Sequence, residues 1–179
     1  MIKADYLRPL RTANADYAQT ELLKAEFRRC RQARTPFFLT GDDLDRVFRW
    51  KLVSQYGRQL AIRAKNSEAA YRAITESVFK IDGPNFEYEC SLRLGLLDAL
   101  PGVGVPVASA VLALTEPHRY CVIDFRGWRA VFDRDKTNFS IKDYLRYRQE
   151  VAALAEELDW SVQETDLAIW EYDLRGSRA

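Results

Sequence analysis

The sequence predicts an all-α fold. Apolar residues recur at helical spacing along most of the 179 residues, between charged residues that would face water. Strand signals are scarce, and the best of them, Tyr120-Cys121-Val122-Ile123, is short and bounded by Pro117 and Asp124. No apolar run approaches the ~20 residues that a membrane-spanning helix needs. A chain of this length can bury a core without disulfides or metal.

Helix starts follow from capping residues. The acidic stretch 42–45 suits the positive N-terminus of a helix that begins near Thr40. Ser67 is a typical N-cap, and 161–164 form a capping box. Together, apolar spacing and capping residues predict seven helices. The first covers 13–34, the second begins near Thr40 and the third at Ser67. The fourth leads to Leu100, the fifth runs through Leu112, the sixth is long and begins at Ser140, and the seventh runs from Ser161 to near Leu174.

Residues 1–179 are expected to form one compact helical unit of two lobes packed side by side. The N-terminus lacks the apolar core of a signal peptide, so we expect a cytoplasmic protein without membrane contact. We also expect a monomer. The expected lobes are about 35–118, ending in a helical hairpin at 97–112, and 1–34 plus 119–179, carrying Asp124.

Charge is nearly balanced overall but uneven along the chain. The net charge of +1 argues neither for nor against nucleic acid. The 20 Arg against 7 Lys are more informative, because guanidinium groups suit both phosphates and structural ion pairs. Basic residues dominate 24–34 and 119–148, whereas 150–173 holds acids and no base. A basic face and an acidic face are therefore expected. The arginines at 28, 29, 31 and 34 are spread around their helix and are assigned no role.

The cysteines and the histidine do not form a metal-binding pattern. Cys30, Cys90 and Cys121 stand far apart, and His118 is the only histidine. We therefore expect reduced, at least partly buried thiols, with neither zinc nor an iron–sulfur cluster.

A tight turn between two apolar helices is the most informative segment. Residues 100–104 read Leu-Pro-Gly-Val-Gly, and Gly102 and Gly104 can both take positive φ. Such a turn aims free N–H groups of the next helix outward, where they suit a phosphate oxygen. Pro106 fits the first turn of that helix, and Val103 can pack back onto the core. The alternative is an ordinary turn with a C-cap glycine.

The stretch 97–129 resembles the helix-hairpin-helix DNA glycosylases of the endonuclease III superfamily. It carries the hairpin and, about twenty residues on, the apolar run Val122-Ile123 that ends in Asp124. The resemblance covers under a fifth of the chain. It implies a two-lobed helical fold, duplex DNA as partner, a catalytic Asp124 and a hairpin that contacts DNA. The hairpin residues implied are Leu100, Pro101, Gly102, Val103, Gly104 and Val105.

Further implications of the resemblance concern cofactors and mechanism. Hairpin carbonyls in the superfamily often hold a monovalent cation, and the matching carbonyls belong to Asp98, Leu100 and Val103. Bifunctional members carry a lysine where this chain has Pro106, and the clustered cysteines of iron–sulfur members are absent. The resemblance thus implies a cluster-free, monofunctional branch, or one that has lost activity.

Asp124 has a second interpretation as the N-cap of the following helix, and both can hold at once. A fixed carboxylate beside a flipped nucleotide would stabilise an oxocarbenium-like sugar or deprotonate water, as in glycoside hydrolases. Arg126 and Arg129 follow on the same segment and are predicted to bind phosphates, or else to pair with local acids such as Asp133.

Lys51 and three aromatic residues have competing interpretations. Lys51 could be an imine-forming nucleophile, but its position beside an apolar stripe favours a solvated or snorkelling side chain. Trp50, Tyr56 and Trp128 could stack on a base, although aromatic residues at helical spacing are typical of a core.

The predicted function is hydrolysis of the N-glycosidic bond of a damaged or modified base in duplex DNA, with water as nucleophile. One alternative is a non-catalytic DNA-binding or adaptor protein that keeps the hairpin and uses Asp124 only as a cap. Another is a protein-interaction domain that docks through its acidic 150–173 segment.

Overall fold

The computed structural model describes residues 2–176 and confirms the all-α class, since these residues form helices and no strand. Two 3-10 segments, Arg8–Leu10 and Val53–Gln59, accompany the α-helices. The α-helices are α1 (Ala4–Leu7), α2 (Tyr17–Ala33), α3 (Gly41–Leu52), α4 (Leu60–Arg63), α5 (Glu68–Lys80), α6 (Phe86–Asp98), α7 (Val105–Thr115), α8 (Phe125–Phe132), α9 (Ile141–Leu158) and α10 (Val162–Gly176).

The predicted capping residues start the helices as expected. Thr40 accepts from the Asp43 amide and forms a reciprocal capping box at α3. Ser67 caps α5 through the Ala70 amide. Ser140 begins α9 with a second capping box. Ser161 Oγ accepts from the Glu164 amide, and the Glu164 carboxylate accepts from the Ser161 amide, which confirms the third box.

Helix α7 lies at the centre of the protein. Every residue from Val107 to Leu114 is buried, so the helix has no face toward water. Four helices, α2, α3, α6 and α9, pack around it. A helix that is apolar all round is stable only when it is covered on all sides, and these neighbours provide that cover.

A second group of helices packs beside this centre. Helix α10 lies along α8 and α9 and also contacts α1. Trp128 of α8 packs its ring against Phe132 and Phe139, with ring centroids 4.3 and 5.6 Å apart. Helix α9 contacts both α6 and α7 and thereby joins the two groups.

A network of ion pairs closes the C-terminal end of α7. Glu116 accepts from Arg31 and from Arg93, each at 2.9 Å. Glu89 accepts from Arg93 at 2.7 Å and from Arg119 at 2.9 Å. Glu89 and Arg93 are buried, so removal of one partner would leave an uncompensated charge, which typically costs about 3–5 kcal/mol.

The chain after α7 is extended but does not form the strand suggested by residues 120–123. Its backbone amides bond to side chains instead of to a neighbouring strand. Cys121 N donates to Tyr144 Oη at 3.3 Å, Val122 N to Asp166 Oδ2 at 2.9 Å, and Ile123 N to Ser109 Oγ at 3.1 Å. Side chains from three helices thus supply the acceptors that a paired strand would supply. The buried backbone N–H groups of residues 121–123 therefore all have hydrogen-bond partners.

Within residues 2–176, no helix has the length and apolar character needed to cross a membrane.

Gly102 and Gly104 differ in backbone conformation. Gly102 has φ +81°, as the sequence predicts, but Gly104 has φ −83° and is the N-cap of α7. The expectation of positive φ at Gly104 is therefore wrong, because α7 begins there and an N-cap is extended. A Cβ on Gly102 would lie 2.6 Å from Arg63 Cγ, whereas one on Gly104 would meet only Pro106 Cδ at 3.8 Å.

We expect Gly102→Ala to lower the free energy of unfolding by about 1–3 kcal/mol, because it combines a disfavoured φ with a clash against a buried Arg63. Gly104→Ala should lower it by less, about 0.5 kcal/mol, because it meets no clash and no positive φ and loses only the preference of an N-cap for glycine. Urea denaturation of both variants measures the difference. Equal losses for the two would contradict this account of the turn.

Candidate functional site

A cleft of about 100 Å³ opens beside Asp124. Four separate parts of the chain form it: the turn before α2, the end of α3, the extended segment before α8, and one face of α10. The lining residues are Asn14, Asp16, Trp50, Lys51, Val53, Val122, Asp124, Gln163, Asp166, Leu167 and Trp170.

Asp124 has both of its oxygens engaged. Oδ1 accepts from the backbone amides of Arg126 and Gly127, each at 3.0 Å, which confirms the predicted N-cap of α8. Oδ2 accepts from Lys51 Nζ at 3.0 Å. The two hydrogen bonds to the α8 backbone fix the position of the carboxylate, and the ion pair holds its second oxygen against Lys51.

Lys51 is a cleft residue and not a solvated surface lysine. Its side chain is only 11% exposed, and its ammonium group pairs with Asp124 from the last turn of α3. The interpretation as a solvated residue is therefore wrong, because the apolar stripe beside Lys51 turns this end of α3 toward the extended segment. An amine and a carboxylate thus meet within hydrogen-bond distance in one cleft.

Asp166 holds the segment that carries Asp124. It is buried, and its carboxylate accepts from Tyr147 Oη at 2.6 Å and from the Val122 amide at 2.9 Å. Burial, together with the negative charge of Asp124, raises the pKa of Asp166 to about 7, while the two hydrogen bonds offset part of that rise. A Cβ on Gly127 would collide with the Tyr147 hydroxyl, so glycine is required there for Tyr147 to reach Asp166.

The segment that carries Asp124 runs back along α7 toward the hairpin turn. Ile123 N bonds to Ser109 Oγ, and Ser109 is the fifth of the eleven residues of α7, about 6 Å along its axis from Val105. After leaving α7 at Glu116, the chain has therefore run back just past the middle of that helix. Asp124, the next residue, is thus nearer to the turn at 99–104 than the C-terminal end of α7 is.

The turn itself presents free amide donors. No described residue accepts from the backbone amides of Gly102, Gly104 or Val105. Val103 N donates to Leu100 O at 2.9 Å and closes the turn, with Leu100 and Val103 buried. These free amides add to the positive end of the α7 dipole. The carbonyls of Asp98, Leu100 and Val103, which the resemblance implies as ligands of a monovalent cation, belong to residues in and beside this turn.

The segment 53–66 connects the cleft to the turn. It starts at Val53, which lines the cleft, is 71% exposed and has φ 41°. It ends at Asn66, whose side chain donates to Pro101 O at 2.9 Å. Positive φ in a β-branched residue is strained, and such strain clusters at functional sites. Exposed Arg58 and Lys65 on this segment add positive charge near the turn.

Arg126 and Arg129 both bind Asp173 of α10, not Asp133. Arg126 donates to Asp173 Oδ2 at 3.1 Å, and Arg129 reaches both oxygens at 2.7 and 2.8 Å. The Arg126 guanidinium also stacks on Trp170 at 5.1 Å and so borders the cleft. Asp173 is distant in sequence, so the predicted pairing with a local acid is present only between Arg129 and Asp135, at 3.6 Å. Contact with phosphates stays a prediction.

The remaining candidates divide into cleft and core. Trp50 lines the cleft, with its Nε1 donating to Thr20 Oγ1 at 3.0 Å, whereas Trp128 is core and Tyr56 bonds to Asp45. Cys90 and Cys121 are buried, Cys30 is partly buried, and His118 is exposed. In the described part of the chain, no group of three His, Cys, Asp or Glu side chains could hold a metal ion.

Sequence reasoning missed the α10 wall of the cleft. Gln163, Asp166, Leu167 and Trp170 are three, four and seven residues apart and share one helix face. That spacing, with two polar residues inside an otherwise buried stripe, was the available signal. Asn14 and Asp16, in the turn before α2, had no comparable pattern.

No protein-family model, curated protein or solved structure matches this chain.

We expect the stability difference between the wild type and Asp166→Asn to depend on pH between about 4 and 7. The raised pKa of Asp166 means that the folded state binds its proton more tightly than the unfolded chain. Its stabilising contribution is complete below about pH 4 and is lost as the pH rises through about 7. The Asn variant cannot titrate, so the wild type should lose stability relative to it over that window. Urea denaturation at several pH values measures this, and parallel profiles would contradict it.

Proposed function

We propose that this protein is a monofunctional DNA glycosylase that hydrolyses the N-glycosidic bond of a flipped base in duplex DNA. The proposal includes a two-lobed fold like that of the endonuclease III superfamily, with α6, the turn and α7 as its helix-hairpin-helix. It rests on one observation above all: Asp124 lies in a cleft, on a segment that runs back along α7 toward the free amides of the turn. The base is a damaged one in repair, or a modified one in foreign DNA.

DNA would bind across the turn and the segment 53–66. A phosphate oxygen accepts from the free amides of Gly102, Gly104 and Val105 at the positive end of α7. The carbonyls of Asp98, Leu100 and Val103 would hold a potassium or sodium ion that neutralises this phosphate. Strained, exposed Val53 stands at the cleft mouth, where an apolar side chain can occupy the space left by a flipped nucleotide.

Asp124 supplies the charge that bond cleavage needs. The C1′–N bond breaks with its electron pair leaving on the base, and positive charge builds on the sugar. The carboxylate stabilises that charge from a fixed position, because its Oδ1 is held by two backbone amides. Water then adds to C1′ and gives its proton to Asp124, which passes it to the departed base.

A second candidate is base excision with Lys51 as nucleophile, and the 3.0 Å between Lys51 Nζ and Asp124 Oδ2 favours it. Deprotonated by Asp124, the amine would attack C1′, displace the base and form an imine with the opened sugar. A third candidate, a non-catalytic DNA-binding protein, would keep the turn and use Asp124 only as a cap.

We expect Asp124→Asn to lower base release by about 10²–10³-fold, because it removes the charge facing the oxocarbenium-like sugar while the Asn still caps α8. Affinity for DNA should persist or rise slightly, since a carboxylate repels phosphates. Mass spectrometry of bases released from damaged and modified DNA pools gives the rate. Asp42→Asn, the same change at an exposed position of α3, is the control.

Borohydride trapping separates the candidates. Water as nucleophile gives an intact abasic site and no trapped adduct. An adduct that disappears in Lys51→Met favours the second candidate. Full base release by a folded Asp124→Asn would reduce Asp124 to a helix cap, and DNA binding without base release from any pool would favour the third.

We expect Gly104→Val to weaken duplex binding about tenfold or more while the protein remains folded, with only the small loss of stability that a poorer N-cap brings. Gly104 is exposed, extended and has open space at its Cβ position, so the fold tolerates valine, but the side chain blocks a phosphate from the turn amides. Fluorescence anisotropy with an undamaged duplex measures the affinity, and wild-type affinity should fall as salt rises. Gly176→Val at the end of α10 is the control. Unchanged affinity in folded Gly104→Val would reject the turn as the DNA contact.

A further inference from the structure

We propose that the cleft beside Asp124 accepts a 2,4-dioxopyrimidine, that is, a base with the carbonyl, N–H, carbonyl edge of uracil or thymine. This inference deepens the proposed function and rests on it for the DNA context. Several polar groups of the cleft have no partner within the described residues, and three of them carry the inference: the amide nitrogens of Asn14 and Gln163 and the carboxylate of Asp16.

The orientation of the Gln163 amide is fixed by a buried lysine. Gln163 Oε1 accepts from Lys24 Nζ at 2.9 Å, and an ammonium group can only donate. The amide nitrogen must therefore point away from Lys24. Gln163 is only 1% exposed, yet in the described part of the chain nothing accepts from its Nε2. That atom is also not among the fully enclosed polar atoms, so it keeps contact with the cleft.

Asn14, another residue that lines the cleft, is fixed in the same way. Its Oδ1 accepts from the Asp16 backbone amide at 2.8 Å, so Nδ2 is the free end. Asn14 is 5% exposed, and no described side chain or carbonyl accepts from Nδ2. Both amide donors are therefore oriented and open to the cleft, where an acceptor on a ligand can replace water as their partner.

The acceptors of the cleft complete the pattern. Asp166 uses both oxygens on Tyr147 and Val122, and Asp124 uses its own on α8 and Lys51. Asp16 is the acidic side chain that remains unpaired at the cleft, and it is exposed. The two amide donors and the Asp16 carboxylate are together complementary to two carbonyls and one ring N–H. The indole N–H of Trp170 and the remaining N–H groups of Lys51 are further donors at the cleft.

Other bases fit this set less well. Cytosine offers an amino group and an unprotonated ring nitrogen in place of one carbonyl and the N–H, so a donor of the cleft would face a donor. Adenine has no carbonyl, and guanine has one. The indoles of Trp50 and Trp170 with Val122 and Leu167 supply flat, apolar walls on which any base can stack. Selection must therefore come from the polar groups.

The test compares duplexes that differ in one mispaired central nucleotide, deoxyuridine, thymidine or deoxycytidine. Each carries a 2′-fluorine, which resists cleavage because it destabilises the cationic sugar. We expect the wild type to bind the deoxyuridine and thymidine duplexes about tenfold or more tightly than the deoxycytidine duplex. Equal binding of all three would overturn the inference.

Two isosteric variants assign the preference to its residues. Gln163→Glu keeps an acceptor for Lys24, and Asn14→Asp keeps one for the Asp16 amide, but each removes the free donor. Each should lower the deoxyuridine-to-deoxycytidine affinity ratio at least severalfold, and the ratio cancels any general repulsion between the new charge and DNA. Gln149→Glu, on an exposed part of α9, makes the same change outside the cleft and should leave the ratio unchanged. An unchanged ratio in both cleft variants would overturn the inference.

Free nucleosides separate this inference from the proposed function. If the protein does not bind duplex DNA, the glycosylase proposal fails, but the cleft can still be tested with deoxyuridine and deoxycytidine by saturation-transfer NMR. Binding of deoxyuridine over deoxycytidine, lost in Gln163→Glu, would support the cleft assignment alone. Binding of neither nucleoside, or of both equally, would reject it.

Discussion

The burial of α7 on every side is the constraint on which the rest of the structure depends. An apolar helix of this kind is stable only inside a shell, so the chain before it and the chain after it must both surround it. The small side chains of Ala108, Ala110 and Ala113 allow the surrounding helices to approach closely. Larger side chains at these positions would force the shell outward, and overpacking of this kind typically costs about 1–3 kcal/mol.

The same constraint creates the cleft. After α7 ends, the chain runs back along this helix. Ion pairs of Glu116 hold the point where the chain turns. Side-chain acceptors bind the backbone amides of residues 121–123 and hold the returning segment. The return carries Asp124 back past the middle of α7, toward the turn that precedes this helix. A rigid helix thus sets the spacing between the free amides of the turn and the carboxylate in the cleft.

Local patterns in the sequence predicted what depends on local physics. The capping residues, the positive φ of Gly102 and the N-cap role of Asp124 follow from neighbouring residues alone. The cleft does not, because its walls come from distant parts of the chain. Gln163 lies inside a capping box that explains its own segment, yet its amide is oriented by Lys24, 139 residues away. Lys51 beside an apolar stripe gives no local sign that it will meet Asp124. The extended segment 120–123 has the composition of a strand, but no strand exists in the described residues to pair with it.

Gly127, Tyr147 and Asp166 limit one another in a way that bears on how this chain can evolve. Any side chain at 127 collides with the Tyr147 hydroxyl, and Tyr147 without that hydroxyl leaves the buried Asp166 one donor short. A change at any of the three is therefore harmful by itself but tolerable beside a matching change, so their effects are not additive. Divergence at these three positions is expected to proceed by joint replacement. Because the Cζ atom of the Tyr147 ring would also lie 2.9 Å from a Cβ at 127, a side chain shorter than phenylalanine is needed at 147 beside a larger residue at 127 and an uncharged one at 166.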